Sequence, residues 1–335
     1  MIKKTLLFLF LAVITFAAFA WMSMSEQLPV SEDVEVRIPY NSTLNGAVEI
    51  LKDKGMLSSP FFFKWTARIY AKITGSQVSA GTYKFSHKQD HFELIKSLFS
   101  GKQSYTARVT FPEGWSLKEY ASLIQRVVES DSAEFMRWAS NDSLLKARGI
   151  EGANVEGYLM PNTYEFFWKE SPRRILDKLL NAQQQLWNNS FKSMADAKNQ
   201  SRHRVLTLAS IVEAETPVPS ERTRVAGVYE NRLLKGMKLD SDPTVQYGLG
   251  GIKRRLLYRD LESNSPYNTY KFTGLPPGPI NNPGAKSIEA ALNPENHRYI
   301  YFVAKPNGSG EHIFSENYAQ HQRAVADYRR GRRGE

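Results

Sequence analysis

The chain contains no cysteine. That absence excludes disulfides, thiolate metal ligands and a cysteine nucleophile together, although it does not assign a compartment. No zinc-ligand spacing is evident, so neither a metal nor a cofactor is expected. His312 stands near Phe314 without a second ligand at metal spacing and reads as structural. An RNP-like aromatic motif and a basic helical repeat are also missing, which argues against nucleic acid. Long apolar runs are confined to the N-terminus. What is present is a hydrophobic content of 41% in 335 residues. This fills real cores, and about two domains are expected at roughly 150 residues each. The formal charge is +10, partly from Lys3 and Lys4 and from Arg329, Arg330, Arg332 and Arg333. Solvated surface charge explains most of it, and a surface facing an anionic polymer is the alternative.

Thr5 to Met22 reads TLLFLFLAVITFAAFAWM and carries no charge. A stretch of about 18 apolar residues is near the minimum for crossing a bilayer. Lysines before it and acids after it place the N-terminus in the cytoplasm and export the remainder. A cleavable signal peptide is the rival, because Ala18-Phe19-Ala20 fits a small-x-small cleavage site. Either way, everything after about Ser23 is exported, which further disfavours nucleic acid.

Beyond the run, Val34, Val36 and Ile38 alternate with charged residues and predict a strand. Ser42 or Thr43 can cap a helix that Gly55 ends. Pro60 opens a second helix running to Gly75. Tyr83 and Phe85 mark another strand, and Asp90 caps a helix stopped by Gly101. This is a strand–helix–helix–strand module with one further helix, similar to LysM glycan-binding modules. A second region begins near Tyr105, with a strand through Val109 and Phe111, a turn at Pro112-Glu113-Gly114 and a helix capped by Ser116. A polar stretch from Asn188 to Arg204 is expected to be solvated. The expected class is α+β: residues 1–22 as cytoplasmic N-terminus and transmembrane helix, 23–104 as a small LysM-like module, and 105–335 as a larger α+β catalytic domain.

The segment richest in chemistry is RVLTLASIVEAE, Arg204 to Glu215. Val205, Leu208, Ala209 and Val212 recur at helical spacing, so one face is core. Glu213 and Glu215 then lie roughly 200° apart, at 100° per residue, and cannot enter one cleft from a regular helix. Periodicity does not choose between them. It places both at the border of core and solvent.

Around this segment stand LASIVEAET (208–216), SERTRVAGVYENRL (220–233), SDPTVQYG (241–248), YNTY (267–270) and GLPPGPI (274–280), with EGYLMPNTYEF (156–166) upstream. In this order the strings resemble the YceG-like family of endolytic murein transglycosylases, over about 34 to 328. The resemblance implies a single N-terminal anchor in the inner membrane, with the bulk of the chain in the periplasm. It also implies cleavage of the β-1,4 bond between N-acetylmuramic acid and N-acetylglucosamine, leaving a 1,6-anhydro end. The family's catalytic acid falls on Glu213. The implied partners are peptidoglycan glycan strands, and peptidoglycan synthases by family association.

One carboxyl suffices for that reaction, because the sugar's own C6 hydroxyl attacks. A single Glu protonates the leaving oxygen and later accepts the C6 proton. To act as the acid it must start protonated, which desolvation favours. Glu215 either stabilises an oxocarbenium-like state or holds a structural bond. Tyr158, Tyr164, Tyr267 and Tyr270 offer flat faces to sugar rings, or else are core tyrosines. Glu156, Asn162, Asn268 and Thr269 can bond hydroxyl or N-acetyl groups. Asn162 stands where the family usually has Asp, which weakens any anionic role there. The proline-rich path from Gly274 to Ile280, followed by Asn282-Pro283-Gly284, reads as a rigid cleft wall. Two other functions remain open: a non-catalytic glycan-binding scaffold, and a hydrolytic muramidase with a second carboxylate such as Glu215.

Overall fold

The computed structural model describes residues 2–39, 41–101 and 105–331, with the side chains of residues 2–7, 9, 12 and 13 outside the description. It is an α+β structure of helices with small two-stranded sheets. The chain divides into two compact units, residues 1–108 with 165–169, and residues 109–164 with 170–335.

The first unit opens with a long helix, α1 (Ile2–Ser25), then β1 (Val34–Ile38), α2 (Leu44–Asp53), α3 (Pro60–Thr74), β2 (Gly81–Phe85) and α4 (His91–Ser100). Local chemistry sets the boundaries. Thr43 Oγ1 accepts from Gly46 N at 3.2 Å and caps α2. Asp90 Oδ1 accepts from Glu93 N at 2.8 Å and caps α4. Gly75 and Gly101 close α3 and α4 in the left-handed conformation that costs other residues most. β1 and β2 pair antiparallel, with Val36 opposite Tyr83 and Ile38 opposite Gly81. Val36, Ile38, Tyr83 and Phe85 pack with Leu51, Phe63, Ala67, Leu94 and Leu98 into one core, which Met24 of α1 also enters. Among the described residues no helix is long and apolar enough to cross a membrane. Part of the expected span, Thr5–Met22, falls on side chains outside the description.

β3 (Thr106–Thr110) and β4 (Thr163–Phe167) each have residues in both units, and the second unit holds α5 (Leu117–Val128), α6 (Ser132–Ala139), α7 (Asp142–Ala147) and α8 (Pro172–Leu186). α9 (Lys192–Ala197), α10 (Arg202–Glu215), α11 (Arg222–Leu234), α12 (Asp242–Gly248), α13 (Ala285–Leu292), the hairpin β5 (Tyr301–Ala304) and β6 (His312–Ser315), and α14 (Tyr318–Gly331) complete it. The polar 188–204 stretch is helical for much of its length and largely exposed, as expected of a solvated segment, with Phe191 and Ala195 turned inward. Trp187 and Phe191, in a π-helical turn that continues α8, are both buried.

α10 departs most from the sequence expectation. A one-sided apolar face was expected, yet every residue from Val205 to Val212 is buried. The helix packs against α11, α12 and α13. Its buried hydroxyls are satisfied: Thr207 Oγ1 donates to His203 O at 2.7 Å, and Ser210 Oγ to Thr207 O at 2.8 Å.

Candidate active site

Burial all round lets α10 serve as a rail for the loop that follows Gly274. Ile280 N donates to Ser210 Oγ at 3.0 Å, and Asn281 Nδ2 donates to Ser210 O at 2.8 Å. One helical turn further on, Gly284 N donates to Glu213 Oε2 at 3.0 Å. The expected wall loop is thus stitched along the helix face that ends at Glu213. Pro279 of this loop packs onto Gly157, whose φ is +81°; a Cβ there would lie 2.3 Å from the proline ring.

The loop also holds the Pro112–Trp115 turn. Gly114 N donates to Asn282 O at 2.9 Å, and Asn282 N donates to Trp115 O at 3.0 Å. Asn282 is fully buried. Its Oδ1 accepts from Gly157 N and Leu159 N, and its Nδ2 donates to Trp115 O and Glu156 Oε1. One side chain therefore ties the turn, the 156–159 segment and the wall loop together.

Glu213 sits where these segments meet, with its side chain 6% exposed. Arg222, the first residue of α11, donates from Nη2 to Glu213 Oε1 at 2.8 Å. Its Nη1 lies 3.6 Å from Glu113 Oε2. Arg222 is itself buried, and its Nε and Nη1 have no hydrogen-bond partner. The Glu113 carboxyl rests against Gly284, where a Cβ would sit 2.0 Å from it. Two carboxylates therefore share one buried guanidinium. Glu213 lies deeper than the core–solvent border expected of it, and both its oxygens accept from donors.

Glu215 faces different surroundings, as the helical spacing required. It is bonded by Ser241 Oγ and Tyr229, and burial raises its pKa. The geometry supplies what periodicity could not, a difference in environment between the two acids.

Beside the Gly114 turn lies a cleft. One part encloses 390 Å³ and is lined by Leu117, Met136, Glu156, Tyr247, Pro266 and Tyr267, among others. A second part, of 210 Å³, shares Ser116, Lys118 and Tyr247 with it and reaches Gly114, Ala214, Ile280 and Asn281. Ala214 is the neighbour of Glu213, and a Cβ on Gly114 would touch the Glu213 Cγ at 3.4 Å. Glu156 is 4% exposed. It accepts from Leu117 N at 2.8 Å, capping α5, and also bonds Asn282 and Tyr247. Burial pushes its pKa up to about 8.

The other expected site residues divide. Tyr267 lines the cleft, its ring 4.8 Å from that of Tyr247. Tyr158 is 1% exposed, stacked on His203 with its hydroxyl 2.9 Å from Nδ1, so its ring offers no free face. Tyr164 donates to Met160 O and packs its edge against Phe111. Asn162 is exposed and accepts from Thr163 N. Asn268 and Thr269 are buried; Asn268 bridges Leu261 O and Ser263 O, and Thr269 Oγ1 accepts from Ser241 N. Tyr270 donates to Asp242 at 2.7 Å. Sequence reasoning passed over Glu113, Arg222, Tyr247 and Asn282. All four lie in strings that were legible (the Pro-Glu-Gly turn, SERTRVAG, SDPTVQYG and the Asn-Pro-Gly path), but nothing in one dimension joins them. His312 is held by Glu221, with Nδ1 2.8 Å from Oε2. No cluster of three or more metal-ligating side chains occurs among the described residues.

The site is a buried carboxylate beside a composite cleft on an α+β scaffold. The family is equally plain: a model of YceG-like proteins matches residues 36–327, and the chain belongs to that family. It is 34% identical over 319 residues to the endolytic murein transglycosylase of Bacillus subtilis (strain 168), covering 90% of this chain and 87% of that one. The protein of the same name from Streptococcus pneumoniae serotype 2 is 27% identical over 325 residues, covering 88% of this chain and 58% of the longer relative. The crystal structure of a yceG-like protein from Listeria monocytogenes superposes with a TM-score of 0.61 at 33% identity, over 88% of this chain and 99% of that one.

Proposed function

We propose that the protein is an endolytic peptidoglycan lytic transglycosylase in which Glu213 is the acid and base. The observation that carries this reading is the placement of Glu213. It is a buried carboxylate at the end of the central helix, beside a cleft, within the string that the family resemblance singles out. Both relatives above bear the name endolytic murein transglycosylase. The cleft has the mixed character of a sugar site, with the Tyr247 and Tyr267 rings beside Glu156.

As acid, Glu213 protonates the glycosidic oxygen between N-acetylmuramic acid and N-acetylglucosamine, and that bond breaks. As base, it then takes the proton from the C6 hydroxyl, whose oxygen closes on C1 to give the 1,6-anhydro end. No water is consumed. The paired state with Arg222 is the one that receives a proton. A shift of Arg222 toward Glu113 gives its Nη1 an acceptor and frees Glu213 to carry that proton. Glu213→Gln keeps the shape but cannot shuttle a proton, so cleavage should cease while glycan binding persists. Normal turnover by this variant would overturn the assignment.

Glu113 is the one observation that favours the hydrolytic alternative, since it places a second carboxylate at the same guanidinium. Mass analysis of the fragments separates the two readings: anhydro ends support the transglycosylase, and reducing ends support the hydrolase.

The first unit is read as a LysM-like glycan-holding module. A cavity of 710 Å³, lined by Ser42, Thr43, Ser76, Gln77 and Ser79 among others, supports this. Lys3, Lys4 and the charge-free run motivate an uncleaved inner-membrane anchor with the bulk in the periplasm. Intact mass after membrane extraction tests it, and a chain beginning at Trp21 would refute it. Peptidoglycan synthases complete the proposed partners on family association alone.

A further inference from the structure

In α3 the exposed apolar residues recur at every fourth position: Phe61, Trp65, Ile69 and Ile73, which are 57, 46, 55 and 79% exposed. Fourfold spacing puts them on one stripe. The opposite face, with Phe63 and Ala67, is fully buried in the core of the first unit. The helix therefore has a core to pack on and still presents a second apolar face to the outside. Four large apolar side chains in a row on an exposed helix mark an interaction surface.

Two further observations say what covers it. First, Lys64, Arg68 and Lys72 recur at the same spacing along one edge of the stripe, and α3 has no acidic residue in its 15 positions. The Arg68 guanidinium lies 5.9 Å over the Trp65 ring. An apolar stripe edged by cations alone complements a surface that is apolar inside and anionic at its rim. Second, the stripe continues onto α1. Phe16 packs against Phe61 and Phe62, with ring centroids 6.4 and 5.3 Å apart. On α1, Phe8, Phe10, Leu11, Ile14 and Phe19 are likewise exposed.

We propose that α3 lies in the surface of an anionic bilayer alongside α1, so that the first unit docks flat on the membrane. The proposal rests on the anchor reading of α1. The depth agrees with it: Phe16 is six residues inside Met22, roughly 9 Å along a helix. Interfacial helices bury their apolar face about 5–10 Å deep. At 15 residues α3 is too short to span, and so lies on the surface.

The absence of cysteine makes the test direct. Single cysteines are placed in the full-length chain by Ile69→Cys on α3, Phe10→Cys on α1 and Glu49→Cys on the exposed face of α2. Each is labelled with an environment-sensitive fluorophore. The proteins are reconstituted into phosphatidylethanolamine–phosphatidylglycerol vesicles with and without nitroxide-bearing lipid. Labels at 69 and 10 should lose most of their fluorescence to the nitroxide, and the label at 49 should lose almost none. Quenching at 10 without quenching at 69 overturns the docking and leaves the anchor standing; it is the result expected of a protein-binding face. Quenching at 69 without quenching at 10 keeps α3 on the bilayer but overturns the anchor and with it the placement alongside α1, and quenching at neither overturns both. Adding Lys64→Gln, Arg68→Gln and Lys72→Gln should relieve quenching at 69 while that at 10 persists. Unchanged quenching at 69 would overturn the anionic part of the assignment.

Discussion

At the scale of single residues, the buried Glu213–Arg222 pair determines which substitutions are informative. Removing one partner of a buried ion pair costs about 3–5 kcal/mol, mostly because the other charge is left uncompensated. Glu213→Ala would strand Arg222, two of whose buried nitrogens already lack an acceptor. Glu213→Gln keeps the shape and one acceptor oxygen, which serves either Arg222 or Gly284 N and loses the other bond. Denaturant midpoints should therefore fall much further for Ala than for Gln, with activity lost in both. Equal midpoints would mean that the pair contributes little to folding. Glu156 gives a second, pH-dependent expectation. Its pKa rises from an ordinary carboxylate value to about 8 in the folded state. Between those limits the native protein holds a proton that the unfolded chain has released. Stability contributed by the protonated group is thus full at low pH and is lost as pH rises toward about 8. Glu156→Gln should flatten that decline, by an amount on the order of a few kcal/mol across the window. Parallel stability–pH curves for the two proteins would show that another group is responsible.

At the scale of elements, the sequence announced helix ends better than helix environments. Thr43, Asp90, Ser116, Gly75 and Gly101 all act at the termini where their chemistry put them. Caps are local, and a single sequence carries them. The burial of α10 is not local. Its Thr207 and Ser210 read as polar interruptions, yet their hydroxyls are satisfied within the helix and, for Ser210, also by Ile280 N, which leaves the helix free to be enclosed. For the same reason Glu213 was legible as a candidate, whereas its partners Arg222 and Glu113 were not. Arg222 arrives by the packing of α11 on α10, and Glu113 by a turn bonded to Asn282, more than a hundred residues away in sequence. Tyr158 and Asn268 were equally ambiguous in sequence; both are buried, Tyr158 bonded to His203 and Asn268 to Leu261 O and Ser263 O. Gly157 tests how rigid that support is. It combines a positive φ with close contact to Pro279, so Gly157→Ala strains the backbone and overpacks the wall loop together. A loss of about 2 kcal/mol or more is expected. Thermal melts will read it, and an unshifted midpoint would mean that the loop is not held as described.

At the scale of the whole molecule, the two units invite a division of labour, the first holding glycan and the second cutting it. The obvious test, deleting residues 34–103, is compromised by chain topology. Residues 165–169 belong to the first unit although they lie far along the chain. There Thr82 Oγ1 donates to Trp168 O, and Trp168 N donates to Tyr105 O. Deletion would strip the Thr82 hydroxyl from Trp168 O and remove most of the unit to which Phe166, 4% exposed, belongs. A point change in the 710 Å³ cavity avoids that damage. Ser76 lines this cavity and belongs to no helix or strand. Ser76→Trp fills part of the space from a position outside every helix and strand. A binding module tethered to a catalytic one raises local substrate concentration and adds no reacting group. Affinity for long glycan strands should therefore fall about tenfold, equivalent to ~1.4 kcal/mol. The fragments should keep the same anhydro ends, and turnover of short strands that reach only the second unit should be unchanged. Long-strand pull-down with mass analysis of the digest reads both quantities in one experiment. If long strands bind the variant as tightly as the parent, the cavity does not hold glycan. If short-strand turnover falls in parallel, the two units do not divide the work.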